Sequence, residues 1–128
     1  ISLICVAIIS YLIGSIPTAV LISKQFFGFD IRTKGSGNMG STNAMRVLGA
    51  KWGSVVQIID VLKGLIPVAV LPFVFFEFTG NSLNLLDNVV FVKIVAGMSA
   101  VLGHVFSVFV GFKGGKGINT AAGLLLGL

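Results

Sequence analysis

Charged side chains are scarce in this sequence of 128 residues. Only 10% of the residues are Asp, Glu, Lys or Arg, whereas 55% are hydrophobic and the mean hydropathy is +1.06. In soluble domains about a quarter of the residues are charged, because the surface must be hydrated. The composition therefore excludes an ordinary soluble domain, and it predicts an integral membrane protein whose surroundings are the lipid bilayer.

Cysteine and histidine are almost absent too, with one residue each, Cys5 and His104. One cysteine cannot form an internal disulfide, and one histidine with one distant cysteine cannot complete a zinc site, so no metal is expected. We expect Cys5 to be a small buried hydrophobe and His104 to be hydrogen-bonded between helices. Because the basic residues are not interleaved with aromatic residues, and no nucleic-acid-binding module is recognisable, no nucleic acid partner is expected.

The hydrophobic residues form long blocks. Ile1–Ser23, Val55–Phe76 and Val89–Phe112 are each long enough to cross a hydrocarbon core of ~30 Å as a helix, and a fourth block starts at Ile118. The first block lacks the basic start and the cleavage site of a signal peptide. The blocks predict an all-α fold, a polytopic transmembrane helical bundle with about three complete spans and the start of a fourth. We expect residues 1–128 to be a single integral membrane domain that is incomplete at its C-terminal end.

Basic residues are confined to alternate loops. The segment Lys24–Lys51 contains five basic residues and one acidic residue, and Gly111–Gly117 contains two lysines. Between them, Glu77–Asn88 contains two acidic residues and no basic residue. Because Lys and Arg favour cytoplasmic loops, this distribution predicts that both basic segments lie in the cytoplasm and that the N-terminus lies outside.

The first basic segment contains a glycine-rich loop from Gly35 to Arg46. Its three glycines allow tight turns that bring backbone N–H groups close to a ligand. A helix is predicted over Gly40–Leu48, with Ser41 or Thr42 as the N-cap, and a helix N-terminus attracts anions. The guanidinium of Arg46 would add a two-pronged contact with phosphate. The loop alone fits either a plain connector or a phosphate site whose candidate residues are Ser36, Gly37, Asn38, Gly40, Thr42, Asn43 and Arg46.

The spacing Gly35-x-Gly37-x-x-Gly40 also matches the dinucleotide-binding fingerprint, and Asp60 lies where the ribose-binding acid would be expected. The context excludes this function. Residues 31–34 do not form a buried strand, and Asp60 lies inside a hydrophobic block.

The second loop, Phe112–Gly117, follows the third hydrophobic block and contains two lysines separated by two glycines. It is not a P-loop, because Gly117 stands where a Ser or Thr would hold magnesium. One interpretation is a membrane-edge turn whose lysines contact lipid headgroups. The other is an anion site formed by Lys113, Gly114, Gly115, Lys116 and Gly117.

Polar residues interrupt the hydrophobic blocks. Asp60 and Lys63 are three residues apart and would pair on one helix face, either as a tie between helices or as part of a polar site. Gly64 and Pro67 would allow a kink there. A comparable interruption, Gly14–Pro17, lies in the first block and includes Ser15.

Six motifs follow one another along the chain: Gly14-Ser15-Ile16-Pro17, Asp30-x-Arg32, the loop from Gly35 to Arg46, Asp60-x-x-Lys63-Gly64, Gly103-His104 and Phe112–Gly117. This ordered set resembles the bacterial acyl-phosphate:glycerol-3-phosphate acyltransferase family over essentially the whole chain. The resemblance implies an enzyme of the bacterial inner membrane that needs no cofactor. Its substrates would be acyl phosphate and glycerol 3-phosphate, and the acyl group would pass to the 1-hydroxyl. The product, 1-acylglycerol 3-phosphate (lysophosphatidic acid), is an early intermediate of phospholipid synthesis.

The resemblance also implies roles for individual residues. Ser36 and Arg46 correspond to an essential serine and arginine, and Lys113–Gly117 corresponds to a phosphate-binding motif. We expect Arg46 and Lys116 to neutralise phosphate, and Ser36, Asn38 and Thr42 to hydrogen-bond substrate. Supporting roles are expected for Ser15, Asp60, Lys63 and His104.

Three departures from the family pattern are visible. Ser107 replaces a usual Pro, Asn119 replaces a common Ala, and a C-terminal motif with a His and an Asn has no counterpart before Leu128. The alternative function is a transporter of phosphate or a phosphorylated metabolite, and a non-catalytic assembly subunit is a third possibility. A transporter needs a polar path through the spans, and only four residues are available for one: Asp60, Lys63, Lys93 and His104.

Overall fold

The computed structural model describes residues 3–79 and 85–128, and it describes the side chains of residues 3–74 and 89–128. The described backbone is helical, without a β-strand, which confirms the all-α prediction. Six α-helices follow in order: α1 (Leu3–Ser15), α2 (Thr18–Ile22), α3 (Ser41–Leu48), α4 (Ala50–Thr79), α5 (Leu85–Val105) and α6 (Ile118–Gly127). Three shorter helical turns lie between them, a π-helical turn at Ser23–Phe27 and 3₁₀ turns at Ile31–Thr33 and Val108–Val110.

Two helical segments, Ala50–Val74 and Val89–Val110, are long and apolar enough to cross a membrane. The first hydrophobic block forms two helical segments, Leu3–Ser15 and Thr18–Phe27, which are bent by 41° at Ile16–Pro17 and are together long and apolar enough to cross a membrane. Proline lacks the N–H that would continue the helix, which explains the break. The predicted interruption is therefore confirmed, whereas α4 continues through Pro67.

Glycines let the long helices pack backbone to backbone. A Cβ built on Gly103 of α5 would lie 2.1 Å from the Tyr11 carbonyl oxygen of α1. A Cβ built on Gly64 of α4 would lie 2.1 Å from the Thr120 carbonyl oxygen of α6. Small residues at such contacts are the usual means by which membrane helices approach closely. Cys5 is exposed, because α1 packs through other residues, and its predicted burial is wrong.

A small apolar core holds α3 and the glycine-rich loop against α2 and α4. It includes Val20, Ile31, Met39, Ala44 and Val56. Met39 belongs to the loop itself and is 3% exposed, so the loop is anchored at its centre. This core places the loop at one end of the helices, beside the start of α6.

Candidate active site

The glycine-rich loop is held in shape by the side chain of Asn43 on α3. Its Oδ1 accepts the backbone N–H of Ser36 at 3.0 Å, and its Nδ2 donates to the carbonyls of Lys34 at 3.2 Å and Asn38 at 2.8 Å. A Cβ on Gly35 would lie 2.2 Å from that same Oδ1, and Gly35 has a φ of +56°. Glycine is therefore required there, and Asn43 acts as the clamp of the loop.

Helix α3 begins without a side-chain cap. Gly40 occupies the N-cap position, so the prediction of Ser41 or Thr42 as the cap is wrong. The hydroxyl of Ser41 instead accepts a hydrogen bond from Nδ2 of Asn119 at 2.8 Å. The N–H groups in the first turn of α3 have no acceptor within the helix, and they remain available to a ligand.

The second loop folds back on the end of α5. The N–H of Gly114 donates to the Val105 carbonyl at 2.9 Å, and the N–H of Gly115 donates to the His104 carbonyl at 3.1 Å. A Cβ on Gly114 would lie 1.8 Å from that His104 oxygen, so only glycine fits. Helix α6 then starts after Gly117, which has a φ of +83° and provides no side-chain cap either.

The two loops meet at a cavity of about 390 Å³. This confirms that both lie at the same end of the helices. The cavity contains ten of the residues predicted from sequence: Ser36, Asn38, Gly40, Thr42, Asn43, Arg46, Asp60, His104, Lys116 and Gly117. Three further lining residues were not among the predicted site residues: Ser41, which was expected to cap α3, Ile118 and Asn119. The sequence feature that could have predicted this part of the cavity is Asn119, a polar residue at the start of an apolar block.

The other predicted residues lie outside this cavity. Gly37, Lys113 and Gly114 line a neighbouring cavity with Arg32, on another side of the glycine-rich loop. Gly115 is buried and lies against the Nε2 edge of the His104 ring. Ser15 is buried at the end of α1, where its hydroxyl donates to the Tyr11 carbonyl at 2.7 Å. Its own carbonyl accepts the hydroxyl of Ser107, so the residue that replaces the family's usual Pro has a structural contact.

The cavity is electropositive. Within residues 3–74 and 89–128, neither Arg46 nor Lys116 forms an ion pair, and both are exposed. The uncapped N-termini of α3 and α6 add partial positive charge. The one carboxylate that lines the cavity, Asp60, lies 2.9 Å from the ammonium of Lys63. The arrangement suits an anion such as phosphate.

Arg32, in the neighbouring cavity, differs from Arg46 because it is already paired. Its Nη2 lies 2.6 Å from Oδ2 of Asp30, and its Nε donates to both carboxylate oxygens at 3.1 Å. These hydrogen bonds lower the pKa of Asp30 to about 2, with a smaller contribution from Lys24, 3.7 Å away. The same pairing raises the pKa of Arg32. Its charge is therefore largely offset.

The predicted pair of Asp60 and Lys63 is part of a buried cluster with His104. Lys63 Nζ lies 2.8 Å from His104 Nδ1 and donates to the Ile16 carbonyl at 2.9 Å. The cluster thus joins α4 to α5 and to the break between α1 and α2, which confirms the expected interhelical role of His104. Asp60 and His104 also line the cavity. The same cluster therefore both connects the helices and forms part of the polar site, the two alternatives that the sequence left open. No group of three His, Cys, Asp or Glu side chains converges in the described part of the chain.

Comparison with known proteins assigns the chain to a family. The sequence profile described as Glycerol-3-phosphate acyltransferase matches residues 4–128. Proteins named glycerol-3-phosphate acyltransferase from Chlorobium limicola and Chlorobaculum tepidum are each 51% identical, over 127 and 125 residues. These alignments cover 99% and 96% of this chain but 54% and 53% of the relatives. The chain therefore spans about half the length of the curated relatives it matches.

Solved structures give the same result. The crystal structure of PlsY (YgiH), an integral membrane glycerol 3-phosphate acyltransferase, in its glycerol 3-phosphate form is 39% identical and superposes with a TM-score of 0.77. The match covers 98% of this chain and 56% of that one. A second form of PlsY, with lysophosphatidic acid, is 36% identical and gives a TM-score of 0.73.

Proposed function

This chain belongs to the glycerol-3-phosphate acyltransferase family, and we propose that the protein transfers a fatty acyl group from acyl phosphate to the 1-hydroxyl of glycerol 3-phosphate. The observation that carries the proposal is the cavity between the two loops. Arg46 and Lys116, neither paired with a carboxylate among the described side chains, face it together with two uncapped helix N-termini. Both substrates carry phosphate, which these groups are suited to bind.

The reaction needs little chemistry from the protein. Acyl phosphate is a mixed anhydride, so its acyl carbon is already activated. The 1-hydroxyl oxygen attacks that carbon, the bond from carbon to the phosphate oxygen breaks, and the hydroxyl proton leaves with inorganic phosphate. Stabilising the charge on the carbonyl oxygen and on the departing phosphate supplies the rate enhancement. In this scheme Arg46 and Lys116 neutralise phosphate charge, and Ser36, Asn38 and Thr42 orient the substrates.

The experiment is an assay of 1-acylglycerol 3-phosphate formation by the full-length protein with acyl phosphate as donor. Removing one charged hydrogen bond costs about 1.5–3 kcal/mol, so Arg46→Ala and Lys116→Ala should each lower kcat/KM by about 10- to 150-fold. Lys34→Ala is the matched control, because Lys34 is exposed in the same loop region but does not line the cavity. Undiminished turnover in the two cavity variants would reject these assignments.

The donor is a separate question, because the geometry of one cavity does not select it. Assays of the same preparation with acyl phosphate, acyl-carrier protein and acyl coenzyme A address it directly. We expect product from acyl phosphate alone. Product from either thioester at a comparable rate would contradict the proposed donor.

The chain is part of a multi-pass membrane protein, and we propose that it lies in the bacterial inner membrane with both loops in the cytoplasm. The excess of Lys and Arg in those loops supports this orientation. A single cysteine introduced at exposed Lys34, in a background without other cysteines, should react with an impermeant thiol reagent in inside-out vesicles only. Labelling in right-side-out vesicles would reverse the orientation.

Transport, the alternative function, has no specific support. Among the described residues, Asp60 and His104 each contact Lys63, and Lys93 Nζ donates to the Gly127 carbonyl at 2.9 Å. The four residues are thus engaged in contacts between helices rather than arranged along a path. Flux of phosphate or glycerol 3-phosphate into proteoliposomes, without acyl product, would favour the transporter.

A further inference from the structure

The contacts among Asp60, Lys63 and His104 indicate which ring nitrogen of His104 carries a proton. The mechanism proposed above gives this histidine no role. All three side chains are buried, with exposed fractions of 1%, 4% and 4%. Lys63 Nζ has three neighbours: Asp60 Oδ1 at 2.9 Å, the Ile16 carbonyl oxygen at 2.9 Å and His104 Nδ1 at 2.8 Å. The Asp60 carboxylate stabilises Lys63 as an ammonium through an ion pair, although Asp60 Oδ1 has no hydrogen-bond partner among the described residues. An ammonium has three protons and no lone pair, and the hydrogen-bond contacts of Nζ are with the Ile16 carbonyl and His104 Nδ1.

The contact with the Lys63 ammonium determines the state of the histidine. Because Lys63 offers only protons, His104 Nδ1 must offer a lone pair, and the imidazole must be neutral with its proton on Nε2. A doubly protonated ring would direct an N–H at the ammonium. His104 Nδ1 is also 4.0 Å from Asp60 Oδ1, too far for the carboxylate to accept a hydrogen bond from it.

The Nε2 edge of the ring faces the second loop. A Cβ built on Gly115 would lie 2.5 Å from Nε2. The imidazole can therefore approach the loop this closely only because residue 115 is a glycine. The next residues, Lys116 and Gly117, line the cavity together with His104. The Nε2 edge therefore lies against the second loop, on a residue that lines the same cavity as Lys116.

We propose that His104 is a fixed hydrogen-bond donor, which contacts a phosphate oxygen of the bound substrate through Nε2–H and does not act as a general base. Its other nitrogen is occupied by Lys63, so the ring has no free lone pair with which to take the hydroxyl proton. Asp60 and Lys63 are the positioning residues that set the tautomer. The inference rests on the proposed function for the identity of the ligand, but the tautomer itself does not depend on turnover.

The direct test is nitrogen NMR of the full-length protein labelled with ¹⁵N-histidine in nanodiscs, with His104→Gln to assign the signal. We expect the signature of a neutral ring with Nε2 protonated and Nδ1 unprotonated. Adding glycerol 3-phosphate should shift the Nε2 signal, and adding inorganic phosphate should shift it in the same direction. The proposal would be overturned by a ring that is protonated on Nδ1 or charged. It would also be overturned by an Nε2 signal that does not shift with either ligand.

Kinetics separates donation from base catalysis. His104→Gln keeps an N–H donor, whereas His104→Leu keeps the bulk and removes it. We expect the Leu variant to lose about 10- to 100-fold in kcat/KM and the Gln variant to keep most of the wild-type kcat/KM. Equal, near-complete inactivation of both, with unchanged thermal stability, would indicate a base instead.

The two proposals fail separately. If the wild-type protein forms no acyl product, the proposed function fails, while the NMR titration with inorganic phosphate still decides the role of His104. If product forms but the ring is protonated on Nδ1, only the role of His104 fails.

Discussion

Replacing Asn43 tests the idea that one side chain holds the glycine-rich loop in shape. Asn43 is 2% exposed and makes three hydrogen bonds to the loop backbone, at 3.0, 3.2 and 2.8 Å. Each such bond contributes a net ~1 kcal/mol, so Asn43→Ala should destabilise the ordered loop by about 3 kcal/mol. Since about 1.4 kcal/mol corresponds to tenfold, the ordered loop becomes about 150-fold less populated relative to open forms.

Two measurements follow from that figure. Hydrogen exchange of residues 34–43 should become faster by up to about 150-fold, while exchange in α4 and α5 stays unchanged, because the lost bonds are local. The kcat/KM for glycerol 3-phosphate should fall, by at most the same factor, because binding requires the ordered loop. The assay is formation of 1-acylglycerol 3-phosphate from acyl phosphate.

Asn43→Asp is the informative companion variant. It keeps the oxygen that accepts the Ser36 N–H, but it places a second oxygen against the carbonyls of Lys34 and Asn38. Two acceptors facing each other repel, so this variant should be at least as impaired as the alanine variant. Thr33→Val is the control, because the Thr33 hydroxyl also bonds a backbone carbonyl, that of Asp30 at 2.6 Å, but at an exposed position outside the loop. Wild-type exchange and activity in both Asn43 variants would refute the clamp, as would loss of protection throughout α4.

Three further predictions concern packing, specificity and pH. Gly64→Ala should separate α4 from α6 and lower the Tm markedly, because its Cβ would lie 2.1 Å from a backbone oxygen of α6. The expected loss in the free energy of unfolding is about 1–3 kcal/mol. An unchanged Tm would contradict the close approach of the two helices. Asn119→Ala removes the 2.8 Å hydrogen bond to Ser41 across the cavity and should raise the KM for glycerol 3-phosphate about fivefold with little change in Tm; an unchanged KM would show that this bond does not shape the site. Asp30→Asn should lower the Tm at pH 5–8. Because the pKa of Asp30 in the folded protein is lowered from 3.8 to about 2, the higher Tm of the wild type is expected above pH ~4 and is lost as the pH falls toward 2. A Tm difference that stays constant down to pH 2 would exclude this ion pair as its cause.

Much of the fold could be predicted because hydropathy and local spacing determine it. A helix needs no distant partner to satisfy its backbone in lipid, so long apolar blocks become helices wherever they pack. The start of α6 at Ile118, the break near Pro17 and the pairing of Asp60 with Lys63 all follow from neighbours within a few residues. The predicted cap of α3 was wrong because Ser41 and Thr42 already belong to the helix and Gly40 is its N-cap. The Ser41 hydroxyl instead contacts Asn119 of α6, which no local pattern contains.

The sequence by itself determined that this is a helical membrane protein with two basic, glycine-rich loops at one end. Those properties depend on composition, on block length and on the distribution of Lys and Arg. Only the tertiary structure decided which residues share a site. It brings Arg46 and Lys116 to one cavity and places Lys113 at another, although Lys113 and Lys116 belong to the same turn. The physical reason is that the direction of each side chain depends on left-handed residues such as Phe112 and Gly117, and on how the turn packs against His104.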